Sequence, residues 1–177
     1  MYEFHITDTF RYSLTDTFLA TARDFDTLLE YIPNLTKLET IKHEKLDEHR
    51  DRFVVRFHAD AVLPKIAHAL VKPEMLRWSE TILTDSQQKR IDWEVITDYF
   101  TENIHCKGVT TYHELPEGTQ VDLRGSFELA IEHVPGIPQF LVKKVVQLLE
   151  PFIGKLIAPN MMEFYDAAKH RLEAHKK

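Results

Sequence analysis

The sequence predicts a single α+β domain over residues 1–177, in which a curved antiparallel sheet of about seven strands wraps around a long C-terminal helix. A chain of 177 residues is long enough for one hydrophobic core. Most of the chain between residues 37 and 131 alternates apolar and polar side chains, as half-buried strands do. The segment Pro138–His175 instead repeats its apolar side chains at helical spacing.

The start of the chain predicts one strand and two short helices. Side chains alternate over residues 2–12, which indicates a first strand. Ser13 or Thr15 can cap the helix that follows, because a hydroxyl oxygen accepts from the free N–H groups of a first turn. Apolar residues continue at helical spacing to Leu29, and Pro33 ends or bends this segment.

Six further strands follow, each with apolar side chains at every second position. Pro64 and Pro73 interrupt this pattern, and a short helix over Lys65–Val71 fits between them. The dipeptide Pro116-Glu117 with the following glycine is typical of a hairpin turn. The last strand is unusually long, so we expect strong curvature or a bulge near Gly125. The six predicted strands are Lys37–Glu48, Asp51–Asp60, Met75–Thr84, Arg90–Phe100, Asn103–Glu114 and Thr119–Ile131.

The C-terminal helix has a very wide apolar face in its first half and a narrower one beyond Asn160. A straight helix of this length spans roughly 55 Å, so we expect Pro151 and Pro159 to bend it or its end to project. A curved sheet that grips such a helix leaves space that side chains need not fill.

Composition excludes several classes of function. The net charge of −6 argues against a general nucleic-acid binder. Cys106 is the only cysteine, so an intramolecular disulfide is excluded. Neither a signal peptide nor a membrane-spanning run is apparent, which predicts a cytoplasmic protein without an integral membrane segment. From Pro138 onward seven basic residues face four acidic ones, and this local excess of positive charge leaves peripheral membrane contact open.

Metal and catalytic signals are weak, so we assign no cofactor, metal site or catalytic residue. The ten histidines form no HExxH motif, and His105 and His113 would lie roughly 26 Å apart on one strand. Cys106 is expected to be a small buried hydrophobe. Glu80 shares strand parity with Trp78 and could point inward, but a strand end or twist that exposes its carboxylate is the expected arrangement.

The element order resembles the helix-grip fold of the START-like superfamily, which includes polyketide cyclases and dehydrases, lipid-transfer domains and birch-pollen-allergen-like proteins. The stretches Phe10–Leu38, LVKPEMLRW and TTYHELPEGTQVDLRGSFEL contribute to this resemblance. It implies a cavity between the sheet and the C-terminal helix. Large apolar side chains and two tyrosines are the candidates for contacting a ligand there, namely Phe57, Trp78, Trp93, Tyr99, Tyr112, Phe127, Leu129, Leu148, Phe152, Leu156 and Met161.

Three functions are compatible with these patterns. The leading hypothesis is that the protein binds or transports a hydrophobic or amphipathic, lipid-like small molecule without catalysis. The alternative is a cyclase, dehydrase or hydrolase that acts in the same cavity and uses inward polar groups such as Glu80, Tyr99 and Tyr112. A third is an interaction module in which the outer sheet face or the basic helix end docks a partner protein.

Overall fold

The computed structural model describes residues 1–59, 65, 72 and 75–174. Apart from Lys65, the predicted short helix over Lys65–Val71 therefore lies outside the described residues, as does the side chain of Leu156. The described elements are β1 (Tyr2–Phe10), α1 (Leu14–Ala22), a 3-10 helix (Phe25–Tyr31), β2 (Leu35–Lys45), β3 (Arg50–Ala59), β4 (Arg77–Asp85), β5 (Arg90–Thr97), β6 (Ile104–Leu115), β7 (Gly118–Leu129) and α2 (Gln139–Ala174).

The seven strands form one antiparallel sheet in the order β1-β7-β6-β5-β4-β3-β2. Strands β2 to β7 follow one another as a meander, and β1 pairs with β7 at the far side. The hairpin between β6 and β7 closes at the predicted turn, where Leu115 pairs with Gly118. The predicted α+β architecture is confirmed, including the two short helical segments after the first strand.

The first helix begins where the hydroxyl groups predicted it. The Ser13 Oγ accepts a hydrogen bond from the backbone N–H of Asp16 at 3.1 Å, which satisfies one of the free donors of the first turn. Phe18 and Ala20 of α1 are buried in the core. The helix thus forms one end wall of the interior.

Helix α2 is continuous over 36 residues, with Pro151 and Pro159 inside it. At 1.5 Å per residue it is about 54 Å long. It packs against β1, β7, α1 and the 3-10 helix. Its end is anchored by the buried Arg171 guanidinium, which donates to the carbonyl oxygens of Ala20 and Asp24 and to the Thr27 hydroxyl.

Of the two alternatives predicted near Gly125, strong curvature or a bulge, the bulge is absent, since β7 pairs with both of its neighbours without a register shift. Gly125 instead provides room for an aromatic ring: a Cβ there would lie 2.5 Å from the Phe4 ring. Gly108, directly opposite on β6, does the same for the Trp93 indole, because a Cβ there would lie 2.4 Å from it. The register shifts of the sheet lie in the edge strand β2, on either side of Leu38.

Candidate ligand-binding site

Strand register defines which side chains share the face of the sheet that turns towards α2. Val55, Glu80, Val95, Cys106 and Phe127 lie directly opposite one another on five successive strands. Residues directly opposite in an antiparallel pair point to the same side. Because Val55 and Phe127 are buried in the core, this row belongs to the inner face.

The inner face is filled unevenly. The side chains of Phe10, Val55 and Val121 are completely buried. On β4 and β5 the inward side chains Ile82, Thr84 and Ile91 are buried as well, but a contiguous group beside them keeps accessible surface, although α2 and the flanking helices lie on this side of the sheet. We call the space that they border the inner gap, and its lining residues are Trp78, Glu80, Trp93, Val95 and Thr97.

Glu80 is the ionisable side chain of this gap. Burial raises the pKa of its carboxyl from 4.5 to about 7, although a hydrogen bond from the Trp78 Nε1 at 3.1 Å acts in the opposite direction. The side chain is nevertheless only half-buried. A raised pKa and remaining accessible surface occur together when a carboxyl group is surrounded by protein but borders an internal space. The expectation that a strand end or twist exposes this carboxylate is therefore wrong, since Glu80 lies in mid-strand on the inner face.

Further polar atoms lie near Glu80. Val95, its partner on β5, is flanked along that strand by the inward residues Trp93 and Thr97. Within the described part of the chain, the Trp93 Nε1 and the Thr97 Oγ1 are buried and have no hydrogen-bond partner. Cys106 is buried as expected, and burial raises the pKa of its thiol to about 12, so it stays protonated. The gap thus offers one carboxyl and two unused polar groups among apolar walls.

Aromatic rings supply much of the wall. The rings of Phe57 and Trp78 are parallel, with their centroids 5.3 Å apart, on neighbouring strands β3 and β4. Phe4 and Trp93 stack with centroids 6.2 Å apart above the two opposed glycines of β6 and β7. These four rings form broad apolar surfaces on both sides of Glu80, and flat surfaces of this kind suit an apolar molecule.

The predicted site residues separate into distinct groups. Phe57, Trp78, Trp93, Phe127 and Leu129 all lie on the inner face. Phe152 and Met161 are half-buried on α2 and pack against the core, and α2 also carries Leu156.

Three of the predicted contacts do not border the inner gap. Leu148 is 48% exposed, because the apolar face of α2 is wider than the area that the sheet covers; its neighbour Leu149 is buried instead. Tyr99 follows the end of β5, so strand parity no longer applies to it, and its hydroxyl accepts from Arg77 at 3.3 Å. Tyr112 does lie on the inner face, but its hydroxyl bonds that of Thr21 at 2.6 Å, which commits it to the contact with α1.

A depression of about 940 Å³ lies on the opposite, outer face of the sheet. It is open to solvent and has charged residues of both signs around it, including Arg52, Asp92, Glu94, Lys107 and Arg124. Apolar side chains, among them Phe4 and Trp93, also line it, but it is a broad open surface, whereas small-molecule pockets are enclosed concavities. Size alone therefore does not make this depression the better candidate.

Metal binding and membrane insertion find no support in the described residues. No group of three or more histidine, cysteine, aspartate or glutamate side chains within them is placed to hold a metal ion. None of their helices combines the length and the apolar character needed to span a membrane.

Sequence patterns contained part of the signal for this site. Alternation on β4 placed Glu80 on the same side as Trp78, and this parity is correct. Thr97 is not among the predicted contacts, although it continues the same alternation on β5 from Trp93. The sequence of one strand does not reveal which side chains of the neighbouring strands lie beside Glu80. In the structure these are Val55 and Val95.

Comparison with known proteins identifies the fold. No family model matches the sequence, and no curated protein matches it. Among solved structures, the protein TTHA0849 from Thermus thermophilus is 20% identical, with a TM-score of 0.71 and 99% of each chain covered. The Zhui aromatase/cyclase from a Streptomyces species is 17% identical, with a TM-score of 0.68 and coverage of 99% of this chain and 95% of that one.

Norcoclaurine synthase from Thalictrum flavum is also similar, at 13% identity and a TM-score of 0.62, with 96% of this chain and 85% of that chain covered. These similarities extend over nearly the whole chain and confirm the helix-grip fold predicted from the element order. Two of the three proteins carry the names of enzymes, so the fold accommodates catalysis as well as binding.

Proposed function

We propose that this protein binds a hydrophobic or amphipathic small molecule in the inner gap, with the polar end of the molecule facing Glu80. One observation carries the proposal: a contiguous group of inward side chains on β4 and β5 keeps accessible surface, whereas most inward side chains around it are buried. Natural ligand sites are mostly apolar concavities with a few placed polar groups. The inner gap has this composition.

In this proposal the aromatic rings provide the affinity. The stacked pairs Phe57–Trp78 and Phe4–Trp93 would cover two sides of the ligand. Phe127 and Leu129 extend the same inner face on β7. Side chains of α2 would cover the ligand from above, for which Phe152, Leu156 and Met161 are the proposed contacts.

The polar groups would select the ligand. Below about pH 7 the Glu80 carboxyl is mostly protonated and can donate a hydrogen bond, whereas above it the carboxylate only accepts. The Trp93 Nε1 donates, and the Thr97 hydroxyl can do either. A buried polar group without a hydrogen-bond partner costs free energy, so a ligand that hydrogen-bonds these atoms should bind more tightly than a purely apolar one. We therefore propose a ligand with one hydroxyl, carbonyl or amine group on an apolar body.

Native mass spectrometry with a panel of fatty acids, quinones and sterols tests this function, and two neighbouring substitutions locate the site. Val95→Phe adds a ring on the inner face, whereas Ile96→Phe adds the same ring next to it on the outer face, where Ile96 is 42% exposed. We expect Val95→Phe to abolish ligand uptake and Ile96→Phe to leave it unchanged. A wild-type protein that takes up none of these compounds would contradict the proposal.

The stability of the same two variants gives a second readout. If the inner gap is empty space, Val95→Phe should fold with nearly unchanged stability. In a close-packed core the additional ring would instead cost about 1–3 kcal/mol of unfolding free energy. A destabilised Val95→Phe variant together with a stable Ile96→Phe variant would therefore argue against the gap.

The second candidate function is acid–base catalysis on a molecule bound in the same gap. It is favoured by one observation, the carboxyl of Glu80 with its pKa near 7, since a general acid or base works best at such a value. Each compound that binds would be incubated with wild type and with Glu80→Gln, and its mass followed over time. Conversion that Glu80→Gln abolishes while binding persists would support catalysis, with Glu94→Gln on the outer face of β5 as the control.

A further inference from the structure

The exposed face of α2 carries apolar side chains that the fold leaves uncovered. Phe140 is 75% exposed and Leu148 is 48% exposed. They lie eight residues apart, with the exposed Lys144 midway between them, so all three share one helix face. The exposed Lys155 continues this face about two turns beyond Leu148. We call these four residues the α2 outer face.

The charge of this part of the helix is one-sided. Between residues 139 and 162 the bases are Lys143, Lys144 and Lys155, and all three are exposed. Glu150 is the one acid in that stretch, and its carboxylate turns to the sheet, where it accepts from the backbone N–H of Leu129 at 3.1 Å. Residues 1–137 carry a net charge of −9 by contrast. The positive charge is thus concentrated where the apolar side chains are exposed.

We propose that the α2 outer face docks on the surface of an anionic lipid bilayer. Phe140 and Leu148 would enter the boundary between headgroups and acyl chains, while the lysines would bind lipid phosphates and carboxylates. Interfacial helices combine exposed aromatic or leucine side chains with basic residues in this way. The convex, ungrooved face of a single helix suits a bilayer better than a peptide, and negative lipid charge complements its lysines. This docking is independent of what the inner gap holds.

Co-sedimentation with vesicles tests the proposal on the full chain without any added ligand. Vesicles of phosphatidylcholine alone are compared with an equal mixture of phosphatidylcholine and phosphatidylserine, each at low and high salt. We expect binding to the mixture that weakens as salt rises. Replacing both Lys144 and Lys155 by glutamine should weaken it about 25-fold, because each lysine near an anionic surface contributes about fivefold. Phe140→Ser should weaken it about tenfold through lost apolar burial.

A matched control comes from the far edge of the sheet. Ile41 on β2 is 52% exposed, and Lys45 is exposed on the same strand. The double variant Ile41→Ser/Lys45→Gln removes similar groups and should bind vesicles like wild type. Equal binding to both vesicle types, no binding to either, or unchanged binding of the lysine and phenylalanine variants would overturn the proposal. Absence of vesicle binding would point to an acidic protein as the partner of this face.

Discussion

Replacing Glu80 by glutamine should stabilise the protein at high pH and change little at low pH. Glutamine has the shape of glutamate, and its carbonyl oxygen can still accept from the Trp78 Nε1. The substitution therefore removes the ionisation of this position and little else. Any pH-dependent difference between the two proteins then reports the cost of a carboxylate in the inner gap.

The magnitude follows from the pKa of Glu80, which burial raises from 4.5 to about 7. The folded protein holds this proton more tightly than the unfolded chain, so stability is complete below about pH 4.5 and falls as the pH rises through 7. Each pKa unit corresponds to about 1.4 kcal/mol, which gives about 3 kcal/mol for the full shift. Because the side chain keeps some accessible surface, water in the gap reduces this cost, and we expect about 1–3 kcal/mol.

Urea unfolding of wild type and Glu80→Gln at about pH 5 and about pH 8.5 measures this difference. Glu94→Gln is the control, since Glu94 lies on the next strand but on the outer, exposed face. We expect the free energy of unfolding of Glu80→Gln, relative to that of wild type, to rise by about 1–3 kcal/mol between the two pH values. The corresponding difference for Glu94→Gln should stay constant. A stability difference between Glu80→Gln and wild type that is the same at both pH values would refute the assignment of Glu80 to the desolvated interior.

Two other substitutions test the packing around the gap. Gly108→Ala should cost about 1–3 kcal/mol, because its Cβ would lie 2.4 Å from both the Arg124 carbonyl oxygen and the Trp93 indole. Displacement of the indole should also shift the near-ultraviolet circular dichroism, and unchanged spectra would contradict the ring arrangement. Arg171→Met should cost about 2–4 kcal/mol in urea unfolding, because it leaves buried carbonyl oxygens at the end of α1 without their donor. If Arg171→Lys loses as much unfolding free energy as Arg171→Met, the geometry of the guanidinium group rather than its positive charge is required.

Local patterns were sufficient for the fold. Strand alternation and the hairpin at Pro116 depend on neighbouring residues only, and both appear in the structure. A bulge at Gly125, one of the two alternatives predicted there, is absent because the missing side chain makes room for a distant partner, the Phe4 ring on β1. A glycine in a strand signals either a bulge or a close approach, and one sequence does not distinguish the two.

The site was less predictable because it depends on where regular elements stop and on what covers them. Alternation from Trp93 would carry Tyr99 to the inner face, but β5 ends at Thr97, and the chain turns Tyr99 towards Arg77. The wide apolar face of α2 likewise made Leu148 a candidate for the interior. Leu149 is buried and Leu148 is exposed because the rest of the fold covers only part of the apolar face of α2. The sequence of the helix does not show how much of that face is covered.

The position of Glu80 is difficult to explain by stability alone. Within the described residues no ion pair compensates its charge, and the Trp78 N–H offsets only part of the desolvation. A glutamine or an apolar residue would fill the same place at lower cost near neutral pH. Residues that break a rule of folding in this way are concentrated at functional sites. A ligand that hydrogen-bonds Glu80 would supply the missing partner, so the same carboxyl that weakens the free protein would strengthen the complex.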